Sequence, residues 1–348
     1  MTFKDMLSSG ESLFLNHQYL EADFTPPIIK YRENEQAYIA TCIRPLLQGR
    51  TGKHLLITGD PGIGKTLATK HILSTLQEET SEVYTLYVNC WKKDTPYKVL
   101  LELCAQLQYK WVMNKNFDEL LRAVSELINH KSAVIVLDEA DKIQDYSLLY
   151  SLLENLQKKC LILISNTKHL LTLMDKRISS RLMPSTLDFR AYTSDEVKGI
   201  LQERAQYAFV RNVLHKECLD LISNETFSAG DLRKGLFLLK ESAELAEAQS
   251  SRSISLSHTQ EALSKLSHAF SKEEVFDAEE HELLALIKKH DGKTMQDLFS
   301  LYETQTGKSY RTFQRKIKDL EKTKAIQAKE VGGNEGRTRT ISLSQNSS

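Results

Sequence analysis

The feature that most constrains this chain is a glycine-rich segment between a predicted strand and a predicted helix. Residues 54–70 read HLLITGDPGIGKTLATK and contain the pattern G-x-x-x-x-G-K-[ST] from Gly59 to Thr66. Glycines let successive backbone N–H groups face phosphate oxygens, and the following helix adds the positive end of its dipole. An apolar run at 55–57 precedes the pattern, as a buried parallel strand should, so we favour a phosphate loop over a glycine turn without a ligand.

The pattern gives each polar residue of the loop an expected role. Lys65 is expected to contact the β and γ phosphates, and the Thr66 hydroxyl is expected to bind Mg²⁺. We therefore predict ATP or ADP and Mg²⁺ as cofactors. The predicted nucleotide-binding residues are Asp60, Pro61, Gly62, Ile63, Gly64, Lys65, Thr66 and Leu67, together with Arg233 from a later helix.

Apolar, β-rich segments alternate with helical patterns through the first half of the chain. The predicted strands cover residues 55–57, 83–88, 133–137, 160–164 and 187–189. This alternation predicts an α/β fold with a parallel sheet covered by helices, in which ligands bind at the carboxyl ends of the strands. The polar residues that follow predicted strands at this edge are Asn89, Asp138, Glu139 and Asn166.

The remainder of the chain is mainly helical. Thr193 and Glu196 form a capping box, and Gly230-Asp231 is expected to cap a long helix over 232–248. Other predicted helices cover 148–158 and 216–222, and one is capped by Ser257 and Gln260. Three helices and two strands flanking 332–336 then predict a winged helix-turn-helix. The predicted domains are an arm (1–25), an α/β nucleotide-binding domain (26–190), an all-helical lid (191–270) and a winged-helix domain (271–348).

Composition limits the function classes. Lys plus Arg and Asp plus Glu both number 46 among 348 residues, so overall charge does not indicate a polyanionic partner. The five cysteines lack a C-x-x-C pair, which predicts reduced thiols. No segment approaches the roughly 20 apolar residues of a membrane helix, and the N-terminus lacks a signal-peptide pattern. We expect a cytoplasmic, nucleoid-associated protein with no membrane partner.

Polar residues at the ends of two further strands are predicted to act in catalysis. Asp138 is expected to hold Mg²⁺ through the waters bound to the ion, and Glu139 is expected to orient or deprotonate the water that attacks the γ-phosphate. Asn166 is expected to contact that water or the γ-phosphate. An acidic pair is often only solvated, and an asparagine can simply cap a strand; the phosphate loop earlier in the chain favours the catalytic interpretation.

Arginines are expected to add positive charge where negative charge develops during phosphoryl transfer. Arg181, in the segment MDKRISSRL, is the predicted finger that reaches a neighbouring subunit's nucleotide, and Arg177 remains an alternative. The alternative is that they are surface charge or make a contact that only stabilises the fold, and we favour the finger role for Arg181. Arg233 lies in the first turn of a lid helix, where it is expected to contact the same subunit's nucleotide and to couple the lid to the γ-phosphate.

The C-terminal helix has two contrasting faces. Tyr310, Phe313, Ile317 and Leu320 recur at helical spacing and are expected to face the core. The segment 305–348 carries ten Lys or Arg and four Asp or Glu, which suits a DNA groove and its flanking phosphates, although a merely solvated face is the alternative. The predicted DNA-binding residues are Lys308, Arg311, Thr312, Arg315, Lys318, Lys322, Arg337 and Arg339.

The ordered motifs resemble a known family. GDPGIGKT, YVNCWKKDTPYKVL, VIVLDEAD, LISNT, RISSRL and GDLRKGL, followed by a winged helix, look like the archaeal replication initiators of the Orc/Cdc family within the AAA+ ATPases. The resemblance covers about residues 15–345. It implies binding of double-stranded origin DNA, slow ATP hydrolysis, help in loading the replicative helicase, and a second initiator subunit on DNA. It also implies a DNA-contacting insertion near residues 96–110.

Two other functions stay open at this point. One is an AAA+ ATPase of a transposition or clamp-loader type, and the other is a transcription regulator that senses nucleotide.

Overall fold

The computed structural model describes residues 12–273, 278–290, 292–306, 308–322, 326–333 and 336–343. The chain divides into two compact units, Met1–Ser264 and Lys265–Ser348. The first unit contains a parallel sheet and most of the helices. The second contains helices and a β-hairpin.

A five-stranded parallel sheet forms the centre of the first unit. Its strands are β1 Leu55–Thr58, β2 Val83–Asn89, β3 Ser132–Asp138, β4 Lys159–Ile164 and β5 Ser185–Asp188, in the order β2-β3-β4-β1-β5. β1 pairs with both β4 and β5, with Leu56 opposite Leu163 and Ile57 opposite Leu187. The predicted parallel sheet is confirmed, although β5 begins before the predicted strand at 187–189.

One helix precedes the sheet and others connect its strands. They are α1 Glu33–Leu47, α2 Lys65–Glu79, α3 Pro96–Gln106, α4 Phe117–Asn129, α5 Ser147–Asn155, α6 Leu170–Leu173 and α7 Lys176–Leu182. Every residue of β3 is buried, as expected for a central strand covered on both faces. On one face, Ala133, Ile135 and Leu137 pack in a cluster with residues of α3, α4 and α5.

One prediction about these helices was wrong, and two short helices were missed. The helix predicted over 148–158 ends at Asn155, because Leu156 takes an extended conformation with its side chain in the core, and β4 already begins at Lys159. The short helices α6 and α7 were not predicted. The Asp175 carboxylate caps α7 by accepting a hydrogen bond from the Arg177 N–H at 2.7 Å.

A group of helices follows the sheet. They are α8 Ser194–Ala208, α9 Lys216–Ala229, α10 Leu232–Ala248 and α11 Leu256–Glu273. The predicted capping box of Thr193 and Glu196 forms at the start of α8. Gly230, with φ of 68°, ends α9, and Asp231 caps α10, as predicted.

The predicted bounds of two lid helices were wrong. α9 continues past residue 222 to Ala229, and the buried Ser223 and Thr226 hydroxyls find partners within the helix by donating to carbonyls one turn earlier. α11 begins at Leu256, before the predicted cap at Ser257, and the Ser255 carbonyl accepts the Thr259 N–H at 3.2 Å.

The described part of the N-terminal arm packs on the lid. A short 3₁₀ helix, His17–Leu20, lies against α8 and α10. The Leu15 N–H donates to the Ala208 carbonyl at 2.8 Å, and Leu13 is buried. Sequence alone treated residues 1–25 as a separate leading arm, but the structure makes residues 13–24 part of the lid's packing.

The second unit combines helices with an antiparallel hairpin. Its elements are α12 Ala278–Lys289, α13 Met295–Thr306, α14 Tyr310–Lys322, β6 Ile326–Gly333 and β7 Gly336–Leu343. Gly333 pairs with Gly336, and the predicted turn residues at 334–335 lie outside the described residues. Residues 292–294 pair with β7 at one edge of the hairpin, because the Gly292 N–H donates to the Ile341 carbonyl and Thr294 forms a β-bridge with Thr340.

The core of this unit follows the predicted helix face with one exception. Phe313, Ile317 and Leu320 are buried, together with Ile326 and Ile341 of the hairpin. Tyr310 was predicted to face the core but is 42% exposed, because it lies at the start of α14 and packs its ring edge-on against Phe299.

Candidate functional site

A cavity of about 610 Å³ lies in the first unit, where the carboxyl ends of β1, β3 and β4 meet the lid. The structure brings together here most residues of the predicted nucleotide site. Those that line the cavity are Pro61, Gly62, Gly64, Lys65, Thr66, Leu67, Asp138, Glu139, Asn166 and Arg233. Asp60 is exposed outside it, and the Ile63 side chain is buried beneath the loop.

The phosphate loop has the backbone that its glycines predict. Gly62 and Gly64 have φ of 75° and 90°, a region that favours glycine, and α2 begins at Lys65 directly after the loop. A Cβ at Gly62 would meet the Asp231 carboxylate at 2.0 Å, so only glycine lets the lid approach this closely. The N-terminus of α2 lies at the cavity, where the positive end of the helix dipole favours an anion.

Lys65 is buried and makes three hydrogen bonds. Its ammonium group donates to the carbonyls of Gly59 and Asp60 at 2.7 Å each and to Asn166 Oδ1 at 2.9 Å. Burial lowers the pKa of this lysine. The contact with Asn166 links the loop to the end of β4, so two residues predicted for phosphate recognition are in direct contact.

Asp138, at the end of β3, is 2% exposed and accepts three hydrogen bonds. Its Oδ2 accepts from the Thr66 hydroxyl and from the Tyr87 hydroxyl, both at 2.7 Å, and its Oδ1 accepts from the Glu139 N–H at 2.9 Å. The two predicted magnesium ligands therefore touch. Tyr87 was not among the predicted site residues; burial and the Asp138 carboxylate raise the pKa of its hydroxyl.

Glu139 has an unusual backbone conformation beside the cavity. Its φ of 52° is in the left-handed region, which is uncommon for a residue other than glycine and is often found at functional sites. Burial, and then the neighbouring Asp138 charge, raise the pKa of its carboxyl group. A carboxylate with a raised pKa is a better proton acceptor.

The lid reaches the phosphate loop through the start of α10. The Leu232 N–H donates to the Gly62 carbonyl at 3.3 Å. Arg233 forms a two-pronged ion pair with Asp231, with the closest atoms 2.7 Å apart, and this pair raises the pKa of Arg233. The predicted lid arginine therefore lies at the cavity, but its guanidinium is bound to a carboxylate of its own helix cap.

The other two predicted arginines lie away from the cavity. Arg181, on α7, is half-exposed, pairs with Glu154 and lies over the Tyr150 ring at 5.0 Å. Arg177 is 84% exposed and lies 3.7 Å from Asp175.

Sequence reasoning missed a buried arginine that joins the loop to the lid. Arg32 is fully buried at the start of α1 and donates to the Ile63 carbonyl at 3.0 Å and the Arg190 carbonyl at 2.7 Å. Its guanidinium lies 3.9 Å from the centre of the Tyr192 ring. Its guanidinium also pairs with Glu35 at 2.8 Å, but no local pattern marks Arg32, since its carbonyl partners are far away in the chain.

The other missed part of the site is the wall that the lid and the segment around Pro26-Pro27 supply. Its residues lie at and beside the two prolines, just before and on α8, and on α10. These residues include Thr25, Pro26, Pro27, Ile28, Ile29, Tyr192, Ile200, Arg204 and Leu236. Arg204 fixes the arm by donating to the carbonyls of Tyr19 and Phe24.

The predicted DNA-binding residues belong to the second unit. Arg311, Arg315 and Lys318 are exposed on α14, on the face opposite Phe313 and Ile317, and Thr312 is partly exposed. Lys308 lies just before α14 and Lys322 is its last residue. Arg337 and Arg339 lie on β7, opposite Gly332 and Glu330. We call the exposed side chains of Arg311, Arg315 and Lys318 the basic face.

Two general features bear on the expectations from composition. All five cysteines are buried and unpaired. Among the described residues, no helix is long and apolar enough to cross a membrane.

Comparisons with protein families and with known relatives indicate the same class of protein. One family model, an AAA domain, matches residues 48–174, and a second, the lid domain of the Cdc6 AAA+ ATPase type, matches residues 198–264. ORC1-type DNA replication protein 2 of Methanothermobacter thermautotrophicus is 28% identical over 97% of this chain and 94% of its own. ORC1-type DNA replication protein 1 of Methanosarcina acetivorans is 30% identical over 75% of this chain and 67% of its own.

Solved structures show the same fold. The Aeropyrum pernix ORC1 protein, whose structure was determined in complex with DNA, matches with a TM-score of 0.79 at 23% identity, over 97% of this chain and 95% of that one. A parallel sheet with a phosphate loop, an acidic strand end and a helical lid defines a nucleotide-binding AAA+ ATPase. With these relatives, the chain belongs to the archaeal Orc/Cdc6 family of AAA+ replication initiators.

Proposed function

We propose that this chain is an ATP-dependent replication initiator that binds double-stranded origin DNA and helps recruit or load the replicative helicase. Slow ATP hydrolysis would act as a switch. The observation that carries the proposal is that one chain combines an AAA+ nucleotide site with a separate helical unit and hairpin whose basic face is exposed. A related protein, Aeropyrum pernix ORC1, was solved with DNA.

We propose four regions for these tasks. They are an arm (1–25), a nucleotide-binding domain (26–190), a lid (191–270) and a winged-helix DNA-binding domain (271–348). Packing of the arm on α8 and α10 supports a joint action of arm and lid on the nucleotide.

ATP and ADP would bind with their phosphates against residues 60–67 and with the base toward the arm. Backbone N–H groups of the loop and the Lys65 ammonium group supply the positive charge that phosphates require. Thr66 and Asp138 fit Mg²⁺, because a hydroxyl and a carboxylate oxygen are hard ligands and lie together at 2.7 Å. When bound, the ion would neutralise phosphate charge.

Glu139 and Asn166 would act on the water that attacks the γ-phosphate. The raised pKa of Glu139 suits a proton acceptor, and its carboxylate lines the cavity. Asn166 would sense the γ-phosphate through its contact with Lys65.

Arg181 would complete the site of a second initiator subunit on DNA. Its half-exposed position outside its own cavity agrees with a role in trans, and its pair with Glu154 would have to exchange for phosphate contacts. Arg177, which is more exposed, is the alternative finger.

Arg233 would link hydrolysis to lid position. It shares the mouth of the cavity with Lys65 and Glu139, and the neighbouring Leu232 N–H already contacts the phosphate loop. A γ-phosphate that competes with Asp231 for this guanidinium would change the contact between α10 and the loop, which is the basis of the proposed switch.

The basic face of α14 would bind DNA, with Arg311, Arg315 and Lys318 contacting phosphates or base edges in the major groove. Lys308, Thr312, Lys322, Arg337 and Arg339 would extend the contact along the helix ends and the hairpin. Binding to chromosomal DNA would also place the protein in the cytoplasm at the nucleoid.

The test is capture of the DNA that is cross-linked to this protein in growing cells. We expect a few enriched sites that coincide with the positions where replication begins, and loss of enrichment when the basic face is neutralised. Enrichment spread over promoters, with none at replication starts, would overturn the initiator proposal in favour of transcription control.

A further inference from the structure

The hydroxyl of Tyr87 contacts the pair of predicted magnesium ligands, Thr66 and Asp138, at the Asp138 carboxylate. Tyr87 lies on a strand that contains none of the phosphate-binding motifs. Tyr87 lies on β2, and β2 pairs in parallel with β3 so that Tyr87 is opposite Val136 and Asn89 is opposite Asp138. Side chains of Tyr87, Asn89 and Asp138 therefore share one face of the sheet. This register brings the Tyr87 hydroxyl to the Asp138 carboxylate.

The contact is specific to one oxygen. Asp138 Oδ2 accepts from Tyr87 and from Thr66 at the same distance, 2.7 Å, while Oδ1 accepts the Glu139 N–H at 2.9 Å. With the backbone holding one oxygen and the tyrosine the other, the carboxylate cannot rotate without losing a hydrogen bond in a nearly fully buried position.

The tyrosine is itself held in place. Lys70 lies one helical turn after Thr66 on α2, and its ammonium group is 4.6 Å from the centre of the Tyr87 ring. Both Lys70 and Tyr87 line the cavity. The same helix thus supplies the Thr66 hydroxyl and the cation that fixes the ring.

We propose that Tyr87 is a positioning residue for the magnesium site, which holds the Asp138 carboxylate beside the Thr66 hydroxyl. This inference rests on the proposed function of Thr66 and Asp138 as the ligands of nucleotide-bound Mg²⁺. It assigns no contact between Tyr87 and the metal. Partners that orient metal ligands commonly change metal affinity by about 10- to 100-fold when they are removed.

The chain offers a matched control on the same strand. Tyr84 also lies on β2, points to the opposite face, and has an ammonium group, that of Lys131, 5.4 Å from its ring centre. Tyr84→Phe removes a hydroxyl from the same strand without touching Asp138. Asp138→Ala provides the other reference, because it removes the proposed ligand itself.

The experiment measures ATP affinity of the full chain with Mg²⁺ and with EDTA, for the native protein, Tyr87→Phe and Tyr84→Phe. We expect Mg²⁺ to tighten ATP binding in the native protein and in Tyr84→Phe. In Tyr87→Phe the factor by which Mg²⁺ increases ATP affinity should fall by about tenfold, while the ATP affinity in EDTA stays unchanged. In an Asp138→Ala background, Tyr87→Phe should have no further effect on the enhancement.

Three results would overturn the inference. A normal Mg²⁺ enhancement in Tyr87→Phe would mean that Asp138 is positioned without the hydroxyl. An equal loss of affinity in Mg²⁺ and in EDTA would mean that Tyr87 acts on the fold or the nucleotide. If native protein shows no Mg²⁺ enhancement, the metal proposal fails, and the role of Tyr87 fails with it.

Discussion

The nucleotide site and the basic face of α14 use charged side chains in opposite ways. At the nucleotide site, Lys65 and Asp138 are buried, and each makes three hydrogen bonds to groups of the same unit. On the basic face, Arg311, Arg315 and Lys318 are exposed above a buried apolar row. The first region holds its charges in hydrogen bonds within the protein, whereas the second presents its charges to solvent.

This difference predicts two kinds of response to substitution. Within a buried network, one change removes several contacts at once and leaves its partners unsatisfied, so the effects are large and not additive. On an exposed face, each charge contributes separately and is screened by salt. Large single effects on DNA binding would argue against this contrast, and small effects at the nucleotide site would argue against it equally.

The largest effect is expected at Glu139. Glu139→Gln should lower the rate of ATP hydrolysis by about 10²- to 10⁴-fold while ATP still binds, because the amide cannot accept a proton. The measurement is phosphate release at saturating ATP, with binding measured separately. An unchanged rate would assign proton transfer to another group.

The raised pKa of Glu139 also predicts how the rate of ATP hydrolysis depends on pH. Burial and Asp138 raise the pKa of Glu139 above 4.5, so its proton-accepting form is lost as the pH falls through that raised value. The rate of ATP hydrolysis should therefore fall on the acid side at a pH above 4.5. A pH profile that is flat in this range would contradict the assignment.

A smaller but still substantial effect is expected at Lys65. Lys65→Ala should weaken ATP binding by roughly 100-fold, since charged hydrogen bonds to phosphate contribute about 1.5–3 kcal/mol each. Lys216→Ala, which removes an exposed lysine of α9, is the control. If Lys65→Ala bound ATP as the control does, the loop would not be the phosphate site.

The sequence predicted those parts of the site whose signals are local. The loop from Gly59 to Thr66, the acidic end of β3 and the cap at Asp231 each occupy a few consecutive residues with a fixed backbone requirement. The parallel sheet followed from alternating periodicity. The structure adds that these local features share one edge and that Lys65 touches Asn166.

Contacts between distant residues could not be predicted from sequence in this way. Arg32 carries no motif, and its carbonyl partners, Ile63 and Arg190, lie 31 and 158 residues away. Tyr87 is an ordinary strand residue until the register of β2 and β3 is known. Residues 13–24 pack on α8 and α10 through scattered positions such as Leu13 and Leu20, which no motif marks in the sequence.

The smallest effect is expected on the basic face. Arg315→Ala should weaken binding of a DNA duplex by roughly two- to tenfold and reduce the slope of log affinity against log salt by about 0.9, the value for one phosphate contact. Gln314→Ala, at the neighbouring exposed position of α14, should leave both unchanged. An equal loss in both variants would indicate a packing defect and not a lost charge.

The contrast between the two regions is tested most directly by measuring ATP and duplex DNA affinities side by side in Lys65→Ala and Arg315→Ala. The duplex should come from a site captured at a replication start. Lys65→Ala should bind ATP roughly 100-fold more weakly and keep most of its DNA affinity, and Arg315→Ala should bind DNA roughly two- to tenfold more weakly and keep its ATP affinity. If either variant lost both affinities to the same degree, the assignment of nucleotide and DNA to separate regions would be wrong.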